Sequence, residues 1–536
     1  MTQKIFVRDL TLCDAQQSTF ATRMTQEQIN HVLPYYRNAG FYAMEVWGGA
    51  VPDTMMRFLG ENPWNRLDQI KAEIGNMSRL SAVSSGRNLV GYSPYPDTLI
   101  ESFYRNVIES GIDLMRVFDP LNDIENLKSS IRYIKRSKAK VDGAICYEVD
   151  AHYSPVDRIK AALHGEKIPG SIYTDAYFLE KALQLEAAGA NIITIEDMSG
   201  LMTPSRTASI IQLFKQHLKV PVDFHTHCTP GYGLASVLMA ILHGVDMVDT
   251  NIWYFAGGSA SPALELVYVF CKKMGIELDL NMEAVAAINK ELYTIRKELS
   301  AYDPVKEFPK PFNPLVDSFP AEIDRFFNEA IVAARHGKED DLLRYCHAIE
   351  AYFNFPVPNE QVKVSQLPAG MYTHLVAQLK QVGEERLLED ALCLIPKVRE
   401  DAGMPPLVTP ISQIIAAQAV SCALDKVNNR PLYSNPSIQF IELIRGDYGK
   451  MPVAIDPLFR QKITGIQKEI AFDDANYIMQ KPLVDEEGSL LAETEKELLL
   501  LELFPTTAKR FLIRQKEQRE LSIEAVATEE LIDYAE

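Results

Sequence analysis

The sequence has no run of about 18 apolar residues, the minimum length of a membrane-spanning helix. Its opening residues, Met1–Phe6, lack the long apolar stretch of a signal peptide. Cysteine is sparse: seven residues are scattered over 536 positions without a CxxC pair, which predicts a reducing compartment and no disulfide framework. Basic residues are outnumbered 54 to 72 by acidic ones, which argues against nucleic acid or an anionic membrane as the main partner. We therefore expect a cytoplasmic protein.

Short apolar runs alternate with amphipathic helical patterns through the first half of the chain. Thr203-Pro204, for example, is a typical helix start, in which a capping hydroxyl is followed by a first-turn proline. The predicted strands are Phe6–Leu12, Tyr42–Trp47, Ser81–Ser84, Leu114–Phe118, Ala144–Tyr147, Ile192–Ile195, Val222–Phe224 and Met247–Asp249.

Eight strand–helix units within about 260 residues favour an α/β fold of the (β/α)8 TIM-barrel type, with a doubly wound sheet as the alternative. Strand patterns become rare after about residue 285, and helical patterns continue. A proline-rich stretch separates the two parts. We predict a barrel over residues 1–300, a linker over 301–318, a mainly helical domain over 319–470 and a helical C-terminal tail over 471–536.

The pair His225 and His227 ends the seventh predicted strand, Val222–Phe224. Residues i and i+2 of a strand point to the same face, so the two imidazoles should lie side by side. Two neutral nitrogen donors at a strand's carboxyl end suit a divalent metal that takes oxygen ligands from elsewhere. A polar turn after a buried strand is the alternative interpretation.

A barrel also predicts that reactive groups follow the strands, because the active sites of this fold lie at the carboxyl ends of the strands. Asp14 follows the first strand, Arg87 the third and Glu196 the sixth, and Trp47 ends the second. Ordinary loops contain polar residues too, so this pattern supports the barrel without identifying a site.

Several segments of the chain match the sequence motifs of one known family. They are Leu12–Ser18, Ala21–Met24, Met44–Ala50, Gly111–Asp113, Arg116–Asp119, Ile145–Tyr147, Asp197–Leu201, Pro368–Met371 and Val408–Gln413. In these segments the chain resembles the biotin-dependent carboxyltransferases. That family includes the carboxyltransferase domain of pyruvate carboxylase, the oxaloacetate decarboxylase alpha subunit and the oxaloacetate-specific transcarboxylase subunit.

The resemblance implies a barrel whose mouth is covered by a helical funnel, in a protein that is usually a homodimer. It implies transfer of a carboxyl group between carboxybiotin and a 2-oxo acid of the pyruvate or oxaloacetate type, through a metal-stabilised enolate. The sequence has no biotinyl segment with a Met-Lys-Met core. The biotin is therefore expected on a partner, a biotin carboxyl carrier protein or other biotin-carrying subunit.

By the same resemblance, Asp14, His225 and His227 fall on the family's metal ligands, and the metal would be zinc, manganese or cobalt. Gln17 falls on a glutamine near the substrate. Ser259 falls near a threonine that some members use to move a proton to biotin, which a serine hydroxyl could also do. Trp47, in the segment Met44–Ala50, is a candidate substrate contact.

Three positions depart from the family pattern. Glu196 stands where the family has a lysine that is carboxylated to become a metal ligand, so Glu196 is a candidate ligand and catalytic group. Cys13 and Ser85 replace two arginines, of which the one before Gly86 pairs with the substrate carboxylate. Loss of bidentate arginine pairing is hard to reconcile with an ordinary pyruvate site. Arg87 is a candidate substitute, and the alternative is that it faces solvent.

Three functions remain open. The first is an active carboxyltransferase subunit with an altered pocket. The second is a metal-dependent decarboxylase or aldol-type lyase on the same barrel. The third is a catalytically impaired subunit kept for assembly.

Overall fold

The computed structural model describes residues 4–150, 163, 170–367, 371, 375, 379–380, 383–479, 483–484, 488 and 490–533. Of the resembling segment Pro368–Met371, only Met371 is among them. No helix in the described part of the chain is both long and apolar enough to span a membrane.

Eight parallel strands close into a barrel, which confirms the predicted fold class. The closure is made by β1, which pairs with β2 on one side and with β8 on the other. A short ninth strand pairs with the amino-terminal end of β1. The strands are β1 Lys4–Asp9, β2 Ala43–Gly48, β3 Arg79–Ser85, β4 Leu114–Phe118, β5 Lys140–Cys146, β6 Ile192–Asp197, β7 Val222–Thr226, β8 Met247–Thr250 and β9 Glu277–Leu278.

The first strand is shorter than predicted. It ends at Asp9, and Thr11–Ala15 forms one π-helical turn. The Leu10 carbonyl accepts hydrogen bonds from the backbone N–H groups of Cys13 and Ala15, both at 3.2 Å, which turns the chain away from the sheet. Apolar periodicity alone does not distinguish such a buried turn from a continuing strand. The turn carries Asp14 at the carboxyl end of the barrel.

Helices surround the barrel, and their starts follow from local sequence. Thr203 accepts a hydrogen bond from the Arg206 N–H and Pro204 occupies the first turn, as predicted. The helices of this part are α1 Gln16–Phe20, α2 Gln26–Tyr36, α3 Val51–Thr54, α4 Pro63–Ile74, α5 Asp97–Glu109, α6 Ile124–Lys135, α7 Asp175–Ala188, α8 Pro204–His217, α9 Gly233–Leu242, α10 Leu264–Met274 and α11 Met282–Glu298. Shorter turns are Met55–Leu59, Gly86–Asn88, Trp253–Phe255 and Leu299–Ala301.

In the remainder of the described chain the named secondary-structure elements are all helices, joined by irregular segments. Its helices are α12 Ala321–Arg335, α13 Glu339–Tyr352, α14 Glu360–Ser365, α15 Leu388–Asp401, α16 Ile411–Val427, α17 Ile438–Arg445, α18 Pro457–Thr464, α19 Glu495–Leu503 and α20 Pro505–Asp533. Two short turns, Glu385–Leu387 and Asp474–Asn476, complete it.

The apolar cores do not follow the predicted domain limits. Phe327 of α12 and Ile349 of α13 belong to the barrel's core, and so does Leu500 of α19, in the predicted tail. A second core lies within the helical part and includes Ile395 and Ile415. The difference arises because helices distant in sequence cover the outer face of the barrel, which periodicity along the chain does not record.

Candidate active site

Three predicted donors converge at the carboxyl end of the barrel. Asp14 comes from the turn after β1, His225 from β7 and His227 from just after it. One ligand atom of each lies within 4.8 Å of the other two. The two imidazole rings are 4.9 Å apart between centroids, as expected for positions i and i+2 of a strand.

The ligand atoms of this trio are buried and unsatisfied. The Nε2 atoms of His225 and His227 and Oδ2 of Asp14 have no hydrogen-bond partner among the described residues. His227 Nε2 and Asp14 Oδ2 are 3.4 Å apart. Buried polar atoms are rarely left unpaired in native proteins. Two imidazole nitrogens and a carboxylate that meet in this way fit a divalent cation.

His225 is oriented by a carboxylate behind it. Its Nδ1 lies 3.0 Å from Oδ2 of Asp249, on the neighbouring strand β8. A partner on one ring nitrogen fixes the tautomer and turns the other nitrogen toward the site. Burial lowers the pKa of His225, but Glu196, Asp249 and Asp14 raise it, to about 10. A cation that binds here must therefore displace a proton.

A buried charge network fills the barrel beneath the trio. Arg116 contacts Asp142, Asp223 and Asp249 at 3.0, 2.8 and 2.6 Å. Arg8 contacts Asp142 and Asp223 at 2.7 and 3.2 Å. All five side chains are almost completely buried. With Asp14 and Glu196 above it, the network has more carboxylates than guanidinium groups, so the site is electrostatically suited to a cation.

Glu196 lies beside the trio but is not part of it. The β6–β7 register sets Glu196 next to His225. Its Oε1 is 4.0 Å from His225 Nε2, and its Oε2 is 3.3 Å from Arg116 Nη1. The group of donor atoms that could share one ion comprises Asp14, His225 and His227 without Glu196. Glu196 therefore lies outside the donor group in this structure, and its carboxylate forms an ion pair with Arg116.

A cavity of about 320 Å³ opens over these residues. Residues of the helical part, among them Met371, Val408 and Thr409, cover it. Its polar lining includes Asp14, Gln17, Ser18, Glu45, Ser84, Ser85, Tyr92, Glu196, His225, His227, Ser259, Thr409 and Gln413.

Gln17 and Ser259 both line this cavity. The Gln17 amide bridges two loops: its Oε1 accepts from the Ala50 N–H at 2.8 Å, and its Nε2 donates to Cys13 Sγ at 3.2 Å. The Ser259 hydroxyl donates to the Ser18 carbonyl at 2.9 Å. Both side chains are therefore held at the cavity wall by neighbouring residues.

Two predicted substrate contacts lie elsewhere. The Trp47 indole is buried against Trp64 and donates its N–H to the Pro63 carbonyl at 3.0 Å, so it packs in the core rather than against the cavity. Arg87 pairs with Asp97 at 3.0 Å and with Asp474 of the C-terminal part. It neither enters the cavity nor faces solvent freely.

The three altered positions have different surroundings. Ser85 lines the cavity, whereas Cys13 is completely buried. Burial, and then the charge of Glu45, raise the pKa of the Cys13 thiol well above its usual value. The thiol therefore stays protonated, which argues against a nucleophilic role.

Glu45, Tyr92 and Asp249 were not singled out from the sequence. Glu45 is nearly completely buried in β2, and burial raises its pKa to about 8. The sequence did carry a signal for Glu45, because an acidic residue inside an otherwise apolar strand is unusual. Tyr92 lies in a loop and gave no such signal.

Comparison with known proteins gives a consistent result. A family model described as "Conserved carboxylase domain" matches residues 362–533, and one described as "HMGL-like" matches residues 169–291. The chain is 33% identical to one of the subunits of pyruvate carboxylase from Methanocaldococcus jannaschii over 508 residues, which cover 94% of this chain and 77% of that protein. It is 30% identical to the 2-oxoglutarate carboxylase large subunit of Hydrogenobacter thermophilus, over 100% of this chain and 72% of the relative.

A solved structure agrees on the fold. The carboxyl transferase domain of Rhizobium etli pyruvate carboxylase, determined with pyruvate, superposes with a TM-score of 0.74. The match covers 95% of this chain and 77% of that one at 24% identity.

Proposed function

Because the chain belongs to the biotin-dependent carboxyltransferase family, we propose that it moves a carboxyl group between carboxybiotin and a 2-oxo compound bound at Asp14, His225 and His227. In the carboxylation direction the N–C bond of carboxybiotin breaks and a C–C bond forms at the acceptor's enolate carbon. The proton lost from that carbon ends on the biotin nitrogen. Pyruvate and 2-oxoglutarate are the reference acceptors, because two relatives are named as carboxylases of these 2-oxo acids.

One observation carries this proposal: three buried donor atoms without hydrogen-bond partners among the described residues face a cavity large enough for a small carbonyl compound. A divalent cation held by these atoms supplies Lewis acidity toward the acceptor's carbonyl oxygen. Zinc, manganese and cobalt all suit this donor set.

The chain's own residues supply orientation and proton movement. Asp249 fixes the His225 ring through Nδ1 at 3.0 Å. Gln17 presents its side chain to the cavity from a position held by Ala50 and Cys13. The Ser259 hydroxyl, which now donates to the Ser18 carbonyl, is the proposed carrier of the proton to biotin.

The biotin is proposed to arrive on a partner chain. Two relatives carry names that make each of them one subunit of a larger carboxylase, which supports an assembly of several chains. The homodimer and the cytoplasmic location remain predictions from the sequence.

The alternative function, a biotin-independent lyase or decarboxylase, is favoured by two observations. The donor set is Asp14, His225 and His227 without Glu196, and the barrel also matches the "HMGL-like" model. Such an enzyme would use the same three donors but need no carboxybiotin.

The test measures pyruvate released from saturating oxaloacetate by Mn²⁺-loaded protein, with and without free biotin. We expect turnover to need both biotin and the metal. We expect His227→Ala to lower turnover and bound metal at least about a hundredfold, because it removes a ligand. His217→Ala is the matched control, since His217 is exposed and its Nδ1 pairs with the Leu213 carbonyl of its own helix. Biotin-independent turnover would favour the lyase. Absence of bound metal would favour an impaired assembly subunit.

A further inference from the structure

The loop that follows β3, residues 86–96, supplies part of the cavity wall. Four of its residues line the cavity beside Ser85: Leu89, Val90, Gly91 and Tyr92. The loop folds back on its strand, because the Ser85 N–H donates to the Leu89 carbonyl at 2.6 Å. Leu89 has a φ of 54°, in the left-handed region that residues other than glycine rarely adopt. Such a conformation persists where surrounding contacts enforce it, so contacts from outside the loop help to set its shape.

Arg87 connects this loop to a distant part of the chain. Its guanidinium lies between two carboxylates, that of Asp97 at 3.0 Å and that of Asp474. Its backbone carbonyl accepts a hydrogen bond from the Tyr95 N–H at 3.0 Å, which closes the loop at its base. Arg87 is therefore fixed through both its backbone and its side chain, in the segment that leads from β3 to the cavity wall.

Asp474 belongs to the segment 472–477, which we call the strap, and it makes two contacts at once. Its Oδ1 pairs with Arg87, and its Oδ2 accepts from the Asp97 N–H at 2.8 Å at the start of α5. A carboxylate is favoured at this end of a helix. Phe472 of the strap also lies 5.3 Å from the Arg87 guanidinium. An isolated surface ion pair contributes little, but a network of several charges and hydrogen bonds holds its geometry.

Two further contacts from the C-terminal part reach the same loop. The Tyr448 hydroxyl donates to the Tyr92 carbonyl at 3.3 Å, and the Tyr95 hydroxyl donates to the Leu503 carbonyl at 3.2 Å. These partners are 356 and 408 positions apart in sequence. The contact between Arg87 and Asp474 differs from them in being charge-assisted, and such contacts are about twice as strong as neutral ones.

We propose that Arg87 and Asp474 are positioning residues, which hold the loop 86–96 in the shape that forms this wall of the acceptor cavity. They act through the loop and touch neither the acceptor nor the cation. This inference rests on the proposed function, because it assigns the two residues to the same site.

Asp474→Ala removes both contacts and should weaken pyruvate binding to Mn²⁺-loaded protein by about three- to fivefold. Calorimetric titration without biotin measures the affinity. Mn²⁺ affinity should not change, because the donor trio comes from other loops. In oxaloacetate turnover, KM should rise by the same factor with an unchanged kcat, because the variant alters the wall and not the reacting groups.

Asp474→Glu keeps the charge and should bind pyruvate as the parent does. Asp390→Ala is the matched control, since Asp390 is about equally exposed (41% against 43% for Asp474) and pairs with Lys426 at 2.9 Å within the helical part. Arg87→Met combined with Asp474→Ala should bind no more weakly than the weaker single variant, because the two residues act through one contact. Additive losses in the double variant would contradict that coupling.

Hydrogen exchange gives a readout that needs no ligand. Gly91 and Tyr95 donate their amide hydrogens within the loop 86–96, to the carbonyls of Asn88 and Arg87. These amides should exchange at least about tenfold faster in Asp474→Ala, whereas peptides that contain the donor trio should be unchanged.

Unchanged exchange in the loop, or unchanged pyruvate affinity, would overturn the inference, and so would failure of the parent protein to bind pyruvate. Weaker pyruvate binding by Asp474→Ala in a protein whose parent shows no biotin-dependent turnover would sink the proposed function and leave this inference intact.

Discussion

At the scale of single residues, the site depends on the carboxylate behind His225. Asp249 contacts His225 Nδ1 at 3.0 Å and Arg116 Nη1 at 2.6 Å, so one side chain links the ligand to the buried charge network. The negative charge of Asp249 makes the His225 imidazole a stronger metal ligand and fixes its orientation.

Asp249→Asn should weaken Mn²⁺ binding by about 10- to 100-fold. Asparagine has nearly the same shape as aspartate and can still accept a hydrogen bond from the His225 ring, but it lacks the negative charge. Competition with a fluorescent chelator measures the affinity, and thermal melting checks the fold. Asp279→Asn is the control, since Asp279 is exposed and pairs with Lys4 at the other end of β1. An unchanged affinity would show that Asp249 does not position the ligand.

At the scale of elements, strand alternation and register decide which side chains enter the barrel. His225 and His227 share a face because two residues complete one period of a strand. The pairing of β6 with β7 sets Glu196 beside His225, at a height where Arg116 reaches its carboxylate. A change of one residue in this register would turn Glu196 out of the barrel.

Glu196→Gln should change Mn²⁺ affinity by less than about threefold, because Glu196 is outside the donor group, whereas Asp14→Asn should lose at least about a hundredfold. Chelator competition on the two variants in parallel gives the comparison. A loss in Glu196→Gln as large as that in Asp14→Asn would place Glu196 among the ligands.

At the scale of the whole molecule, the barrel's core extends to helices far away in sequence. Phe327, Leu500 and Phe511 all join it, and Trp64 on the barrel donates its indole N–H to the Lys496 carbonyl at 3.0 Å. The leucine-rich helix α19 thus packs against its own barrel. Distant segments therefore contribute to the same cooperative core, and buried groups in this core affect the stability of the entire chain.

The pH dependence of stability should reflect buried carboxyl groups such as Glu265. Burial raises its pKa from 4.5 to about 8, although the Trp253 N–H donates to it. Between pH 4.5 and about 8, Glu265 is therefore protonated in the folded state and ionised in the unfolded state. Stability from this group is fully present below about pH 4.5 and is lost as pH rises through about 8.

Glu265→Gln should reduce the drop in unfolding free energy between acidic and alkaline pH by roughly 2–4 kcal/mol, because its amide stays neutral and can still accept from Trp253. Urea denaturation at a series of pH values measures the drop. Glu109→Gln, on the exposed side of α5, is the control. An identical pH profile in Glu265→Gln and the parent would contradict the expected protonation of Glu265.

The sequence alone predicted the eight alternating units, the helical second half and the histidine pair His225 and His227. These features are local: a strand period, a helix cap and the spacing of two histidines are properties of neighbouring residues. The resemblance added Asp14, Gln17 and Ser259, all of which line the cavity.

Only the tertiary structure decided what each side chain contacts. Arg87 is bound by Asp474, 387 positions away, and Trp47 by Trp64 and Pro63, so neither reaches the cavity. Asp249 of β8 contacts His225 of the neighbouring strand β7, and Arg116 forms an ion pair with Glu196, which lies outside the donor group. Partners of charged groups come from distant parts of the chain, and only the folded barrel brings them within bonding distance.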